Sequence, residues 1–296
     1  MKNKIVICLV LSVLLAGISV SCERDPQFVK GEYTYENNRL NYINGLLIQW
    51  GREDLSDDVK DAVREIVTSM VFVDGGTTSI GSYNNSGFPP EENPIHHVSL
   101  SDYYMSKVTI NQKQWTAIMG ENPLWDESYG KGDDYPANFT SYQQAQQFID
   151  LLNQYSGLKF RMPTEAEWEY AACGGKHSDD YTYSGSNDAD QVAWHRDNAN
   201  GTMHPSAKLK ANSLGMYDMS GNVWEWCSDW YGSYTGDDAN NPIANNPTGP
   251  ASGTKRVVRG GSFTYEAKYC RCKARNCLPE TNQSLAVGLR LAISAK

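Results

Sequence analysis

Beyond its first 21 residues the chain lacks any apolar run approaching the ~20 residues a membrane-spanning helix requires, so nothing downstream reads as a span. It lacks positive charge as well. Its 26 Lys and Arg stand against 35 Asp and Glu, a formal net charge of −9, which argues against a nucleic-acid binder and a polybasic membrane-surface protein. Long amphipathic stretches are few, and there is no internal repeat. The CxxC spacing of a zinc ribbon is missing, since Cys270 and Cys272 are separated by Arg271 alone, and no His pair sits at ligand spacing. His96 and His97 are adjacent, and adjacent side chains diverge on an extended chain, so they read as loop residues. What the chain has is aromatic bulk and turn formers: 18 Tyr, 8 Trp, 25 Gly and 12 Pro in 296 residues. That is too much to bury for a disordered chain, and it implies short strands, a few helices and much ordered loop.

Residues 1–21 read as an export signal. Met1 to Lys4 form a short basic region, Ile5 to Val20 are mostly apolar, and small residues precede Cys22. This layout suits a lipoprotein signal peptidase, with Cys22 becoming the acylated first residue, although Ser19 stands where the usual box has Leu. The remainder is then expected in the cell envelope, lipid-anchored to the outer membrane on its periplasmic or surface face. Of seven cysteines, Cys8 leaves with the leader and Cys22 takes lipid. Cys173, Cys227, Cys270, Cys272 and Cys277 remain, and an oxidising compartment predicts two disulfides and one spare thiol.

Residues 22–55 mix Asn, Tyr and charge without a clear period and read as a tether with some local structure. Residues 56–69 read as a leading helix: Ser56 caps Asp57 and Asp58, and Val59, Ala62, Val63, Ile66, Val67 and Met70 recur at three- and four-residue steps. The main domain is placed at 70–296. Val71–Val73 and His97–Leu100 read as strands. Helices are predicted from Asn111 to Met119, from Ser141 to Gly157, and from Glu165 to Ala172, the last with Thr164 and Glu167 as a capping box. From 176 onward helical periodicity stops. Val223–Trp226, Arg256–Arg259 and Leu289–Ile293 are the clearest strands there, and Gly236–Gly253 reads as a long surface loop.

Several segments are too specific for composition to explain: Met70 to Gly76, Arg161-Met-Pro-Thr-Glu-Ala-Glu-Trp-Glu-Tyr-Ala-Ala172, Leu214-Gly-Met-Tyr-Asp-Met219, Ser220-Gly-Asn-Val-Trp-Glu-Trp-Cys227, Arg259-Gly-Gly-Ser-Phe263 and Gly288-Leu-Arg-Leu291. In this order they resemble the formylglycine-generating enzymes, or sulfatase-modifying factors, over about residues 70–294. The resemblance implies an α+β fold of the C-type-lectin-like kind, loop-rich with few regular elements. Its oxidases carry two copper(I)-binding cysteines at the third and eighth positions after the serine of the RGGS segment, and oxidise a sulfatase cysteine to formylglycine. Counted from Ser262, those positions are Tyr265 and Cys270. A linear copper(I) site needs two soft sulfurs, so catalysis would require Cys270 with Cys272 as an improvised pair.

The resemblance further implies a Cys227–Cys270 disulfide, as in non-oxidase members, and a Cys173–Cys272 pairing, with Cys277 odd. It places calcium on Asp218, Gly221, Val223 and Glu225, two carboxylates and two backbone carbonyls supplying hard oxygens. The bland alternative is that Asp218 and Glu225 cap turns or pair with Arg259. Asn198-Ala199 matches part of the family's other calcium site, but no Asp-Gly-Phe follows it before Asn212. Trp168, Trp194, Trp224 and Trp226 read as core. Three functions remain: a non-catalytic lipid-anchored recognition or structural module for a protein or glycan ligand, a copper-dependent oxidase, and a component of a gliding or secretion assembly. Tyr265 stands against the second, and the first is favoured by the anchor, by the acidity, and by the segment from Phe263 to Val287. There the framework residues Cys270, Arg271, Arg275 and Pro279 alternate with unconstrained types.

Overall fold

In the computed structural model the described residues are 33–34, 40–82, 90–236 and 243–295. The leader and Cys22 lie outside them. The local structure in the segment expected as a tether is a three-stranded antiparallel sheet, β1 (Tyr33–Thr34), β2 (Leu40–Ile43) and β3 (Leu46–Gln49). Asn44 and Gly45, both at positive φ, turn β2 into β3, the dipeptide a tight hairpin demands. Ile43, Leu46, Ile48 and Trp50 are buried in the main core, so this segment is part of the fold.

Helix α1 (Asp57–Thr68) begins where Ser56 accepts the Val59 N–H, and it buries Ala62, Val63, Ile66 and Val67. Three capping boxes then start α2 (Gln112–Met119) at Asn111, α3 (Tyr142–Ser156) at Ser141 and α4 (Glu165–Ala172) at Thr164. Each satisfies two backbone N–H groups that a helix start leaves bare. Trp115 of α2 stacks on Phe148 of α3, centroids 5.3 Å apart, inside the core shared with α1 and the first sheet.

Strand β4 (Met70–Val73) pairs with β7 (Tyr103–Ser106), and β7 with β15 (Ala292–Ser294), so a strand near the end of the chain completes a sheet begun at Met70. β5 (Gly76–Ile80) pairs with β6 (His96–Leu100), whose other edge takes β11 (Ala244–Asn245) in parallel. The predicted surface loop 236–253 is therefore pinned midway by a strand, and Asn246 strengthens it by accepting the Ser101 N–H at 2.8 Å. β8 (Ala193–Trp194) pairs with β9 (Ser220–Gly221). The last sheet is β13 (Arg275–Leu278), β12 (Arg256–Arg259), β10 (Trp224–Trp230) and β14 (Val287–Gly288), in that spatial order. Among the described residues no α-helix follows Ala172, in line with the loss of helical period after 176.

Candidate functional site

The register of the last sheet sets one row of side chains: Glu225 on β10 faces Arg259 on β12, which faces Arg275 on β13. Beyond Arg259 the chain turns through Gly260 and Gly261 at φ of 97° and 77°, a conformation side chains rarely adopt. Space imposes the same choice at Gly261. A Cβ there would lie 2.6 Å from the Cys270 sulfur and 2.7 Å from the Tyr269 carbonyl.

Past this turn, Tyr265 stands where the oxidases carry their first cysteine. Its ring is half-buried and meets Trp224 (5.3 Å between centroids) and Tyr269 (5.5 Å) edge to face. Cys270 is fully buried with Val192 and Ala193, accepts the Ser262 N–H, and burial pushes its thiol up to about 12. Cys272 belongs to a different cluster, with Ala171, Ala172 and Cys173, and donates to the Ala172 carbonyl at 3.4 Å. Cys270 and Cys272 thus pack in different clusters, not against each other. Cys227 and Cys270, expected as a disulfide, are free thiols in separate clusters. The Cys173 and Cys272 thiols, also free, are within hydrogen-bonding reach of each other.

The turn expected to hold calcium is tight and buried. Asp218 and Asn222 adopt positive φ, as does Gly221, where a Cβ would lie 2.4 Å from the Trp194 carbonyl. Asp218 accepts the Ala207 N–H at 2.8 Å, and burial pushes its carboxyl up to about 6. Glu225, wholly buried, is fully engaged. Arg290 donates to both its oxygens, at 2.8 and 2.9 Å, and the Trp168 indole N–H donates at 2.6 Å. Arg290 also donates to the Ser106 and Tyr217 carbonyls, at 2.7 and 2.8 Å. The Glu225 carboxylate is thus compensated by a guanidinium from the Gly-Leu-Arg-Leu segment. Of the expected calcium ligands Asp218, Gly221, Val223 and Glu225, the last has both oxygens bonded to Arg290. Glu225 is paired, as the bland reading held, but with Arg290 in place of Arg259.

Arg259 serves a second buried network. It donates to Glu169 of α4 and to the Ala274 carbonyl, and lies 3.4 Å from Glu165. Arg275 grips Glu165 through both oxygens at 2.6 and 2.8 Å, and Arg271 grips Glu92 at 2.6 and 2.9 Å. Three arginines of residues 259–275 are so matched to three buried glutamates. Such pairs contribute little net stability but are costly to break, which fixes where the segment lies. Sequence reasoning singled out both motifs without joining them. The available signal was Glu165 and Glu169, four apart on one helical face.

Residues 55–295 match the family described as sulfatase-modifying factor enzyme 1-like domain. The chaperone protein LppX of Paenibacillus barcinonensis is 34% identical over 215 residues, covering 55% of this chain and 71% of LppX. The formylglycine-generating enzyme of Streptomyces coelicolor is 36% identical over 291 residues, covering 76% and 89% of the two chains. Among solved structures, Treponema denticola variable protein 1 superposes with a TM-score of 0.67 at 28% identity, covering 76% of this chain and 95% of that one. The expected fold class, α+β of the formylglycine-generating-enzyme kind and rich in loops, is the one found. The chain belongs to the sulfatase-modifying factor enzyme 1-like domain family.

Proposed function

We propose that this protein is a lipid-anchored component of the bacterial envelope whose sulfatase-modifying-factor-like domain is a recognition or structural module without oxidase chemistry. One observation carries the reading: Tyr265 replaces the first cysteine and packs on Trp224, while Cys270 is buried in a cluster separate from that of Cys173, Cys227 and Cys272. Copper(I) held by two thiolates has no pair to bind on that face. The similarity to a protein named as a chaperone supports a role in handling a protein partner, a glycan being the alternative ligand, and leaves room for work within a secretion or gliding assembly. Among the described residues no helix is long and apolar enough to cross a membrane, so anchoring rests on Cys22 in this reading.

Two measurements test it. A peptide with the Cys-x-Pro-x-Arg core, incubated with the protein, copper and oxygen, should yield no aldehyde. Formylglycine above the level of a Cys270→Ala control overturns the non-oxidase reading. Metabolic labelling with an alkyne fatty acid should mark the wild-type chain and not Cys22→Ser, and equal labelling of both removes the anchor.

A further inference from the structure

We propose that Asn200 is a self-modification site, where the side chain closes onto the Gly201 nitrogen and reopens with water to aspartate and isoaspartate. An Asn-Gly step is open to this chemistry because glycine has no Cβ to hinder its own nitrogen or to restrict the peptide's rotation. The chain has two such steps, Asn44-Gly45 and Asn200-Gly201, and one Asp-Gly step, at Asp74. The structure treats the three differently.

Asn200 and Gly201 are both exposed, with φ of 54° and 77°, and among the described residues neither donates or accepts a hydrogen bond. A Cβ on Gly201 would meet nothing within 4 Å. The loop is fastened on either side of the step: the Arg196 N–H donates to the Tyr265 carbonyl at 2.8 Å, the Ala199 N–H to the His195 carbonyl at 2.9 Å, and the Met203 N–H to the Tyr129 carbonyl at 3.3 Å. One bond spans it, from the Thr202 N–H to the Ala199 carbonyl at 3.2 Å, and only that bond has to yield for the peptide to turn. Asn44 is held more firmly. Its amide nitrogen donates to the Met70 carbonyl, the β2–β3 ladder closes around the turn from the Ile43–Leu46 pair outward, and a Cβ on Gly45 would lie 3.0 Å from the Tyr104 hydroxyl. At Asp74 the nucleophile is engaged, since the Gly75 N–H donates to Asp102 at 2.8 Å.

In the first step the Gly201 nitrogen loses its proton and attacks the side-chain carbonyl carbon of Asn200. The new N–C bond closes a five-membered succinimide, and the side-chain nitrogen takes up a proton and leaves as ammonia. Water then adds to one of the two imide carbonyls and breaks its bond to the ring nitrogen. Opening at the side-chain carbonyl gives aspartate; opening at the main-chain carbonyl gives isoaspartate, with the chain running through the former side chain. One water enters, one ammonia leaves, and nothing is oxidised or reduced. Isoaspartate lengthens the backbone of a turn whose Arg196 supports the Tyr265 carbonyl, so ageing at Asn200 loosens the segment carrying Tyr265. The chemistry is independent of the functional reading above.

The experiment incubates the full folded chain in mildly alkaline buffer and follows both Asn-Gly peptides by mass spectrometry, with synthetic aspartate and isoaspartate peptides as chromatographic standards. Conversion at Asn200 should outrun that at Asn44 by roughly tenfold or more. In urea, where both turns are lost, the two rates should converge. Equal rates in the folded chain, or faster conversion at Asn44, overturn the assignment, as does a difference that persists unchanged in urea. Hydrogen exchange tests the consequence. The Arg196 amide should exchange faster in the isoaspartate fraction than in freshly prepared Asn200→Asp, which has the new charge without the longer backbone. Equal exchange overturns the link to Tyr265, and the wild-type rates decide the site even where the variant fails to fold.

Discussion

Arg290 and Glu225 meet at 2.8 Å with neither exposed to solvent, and the indole N–H of Trp168 completes the carboxylate's hydrogen bonding. The pair joins β10 to the C-terminal segment that also carries β15. Removing one partner of a buried pair leaves the other charge uncompensated.

Glu225→Gln should therefore destabilise the domain by about 3–5 kcal/mol, a fall in melting temperature of roughly 6–20 °C at about 2–4 °C per kcal/mol. Calcium should neither rescue the variant nor raise the wild-type melting point after chelator treatment. A calorimetric scan showing a calcium-dependent rise in wild type that Glu225→Gln abolishes would return Glu225 to the role of a metal ligand.

The second prediction concerns the contact between Gly261 and Cys270. Gly261→Ala faces both a left-handed backbone and a sulfur 2.6 Å from the new Cβ, and should cost about 2–4 kcal/mol. Cys270→Ala removes the sulfur contact but leaves the Tyr269 carbonyl 2.7 Å away and the left-handed backbone. The double variant should thus recover part of the loss, with a coupling of about 1–2 kcal/mol by denaturant titration. Strict additivity would mean that the sulfur does not impose the glycine.

Much of the helical half was legible because its signals are local. Ser56, Asn111, Ser141 and Thr164 cap where a hydroxyl or amide side chain precedes a periodic run, and the helices end within a residue or two of the expected stops. The Asn44-Gly45 hairpin was just as local, but Leu46 and Ile48 alternate for too short a distance among Tyr and Asn to stand out. β13 was hidden for a different reason. Its Arg275 is buried against Glu165, so a charged residue occupies a position that period-2 patterning assigns to solvent. At the candidate site, counting from Ser262 located Tyr265, but the clusters that Cys270 and Cys272 enter depend on the path of Arg271. The partner of Glu225 lies 65 residues away, and no spacing rule reaches that far.

The last prediction concerns pH. Asp229 is 4% exposed, accepts the Glu165 N–H and the Ser228 hydroxyl, and lies under the turn containing Gly249. Burial, reinforced by the nearby charge of Glu165, pushes its carboxyl from 3.8 up to about 7. The folded chain therefore keeps a proton that the unfolded chain has already released between those two values. Because the folded state then binds more protons, this group's contribution makes stability fall as pH rises across that window. Below about 4 both states are protonated and above about 7 both are ionised, so the contribution is flat outside it. At about 1.36 kcal/mol per unit, the full penalty is on the order of 4 kcal/mol. Asp229→Asn keeps an acceptor for the Glu165 N–H and cannot ionise. Urea titrations between pH 4 and 8 should show wild type losing stability relative to Asp229→Asn as pH rises, with the gap widening to a few kcal/mol by pH 8. Parallel curves across that range would show that Asp229 ionises alike in the folded and unfolded chain.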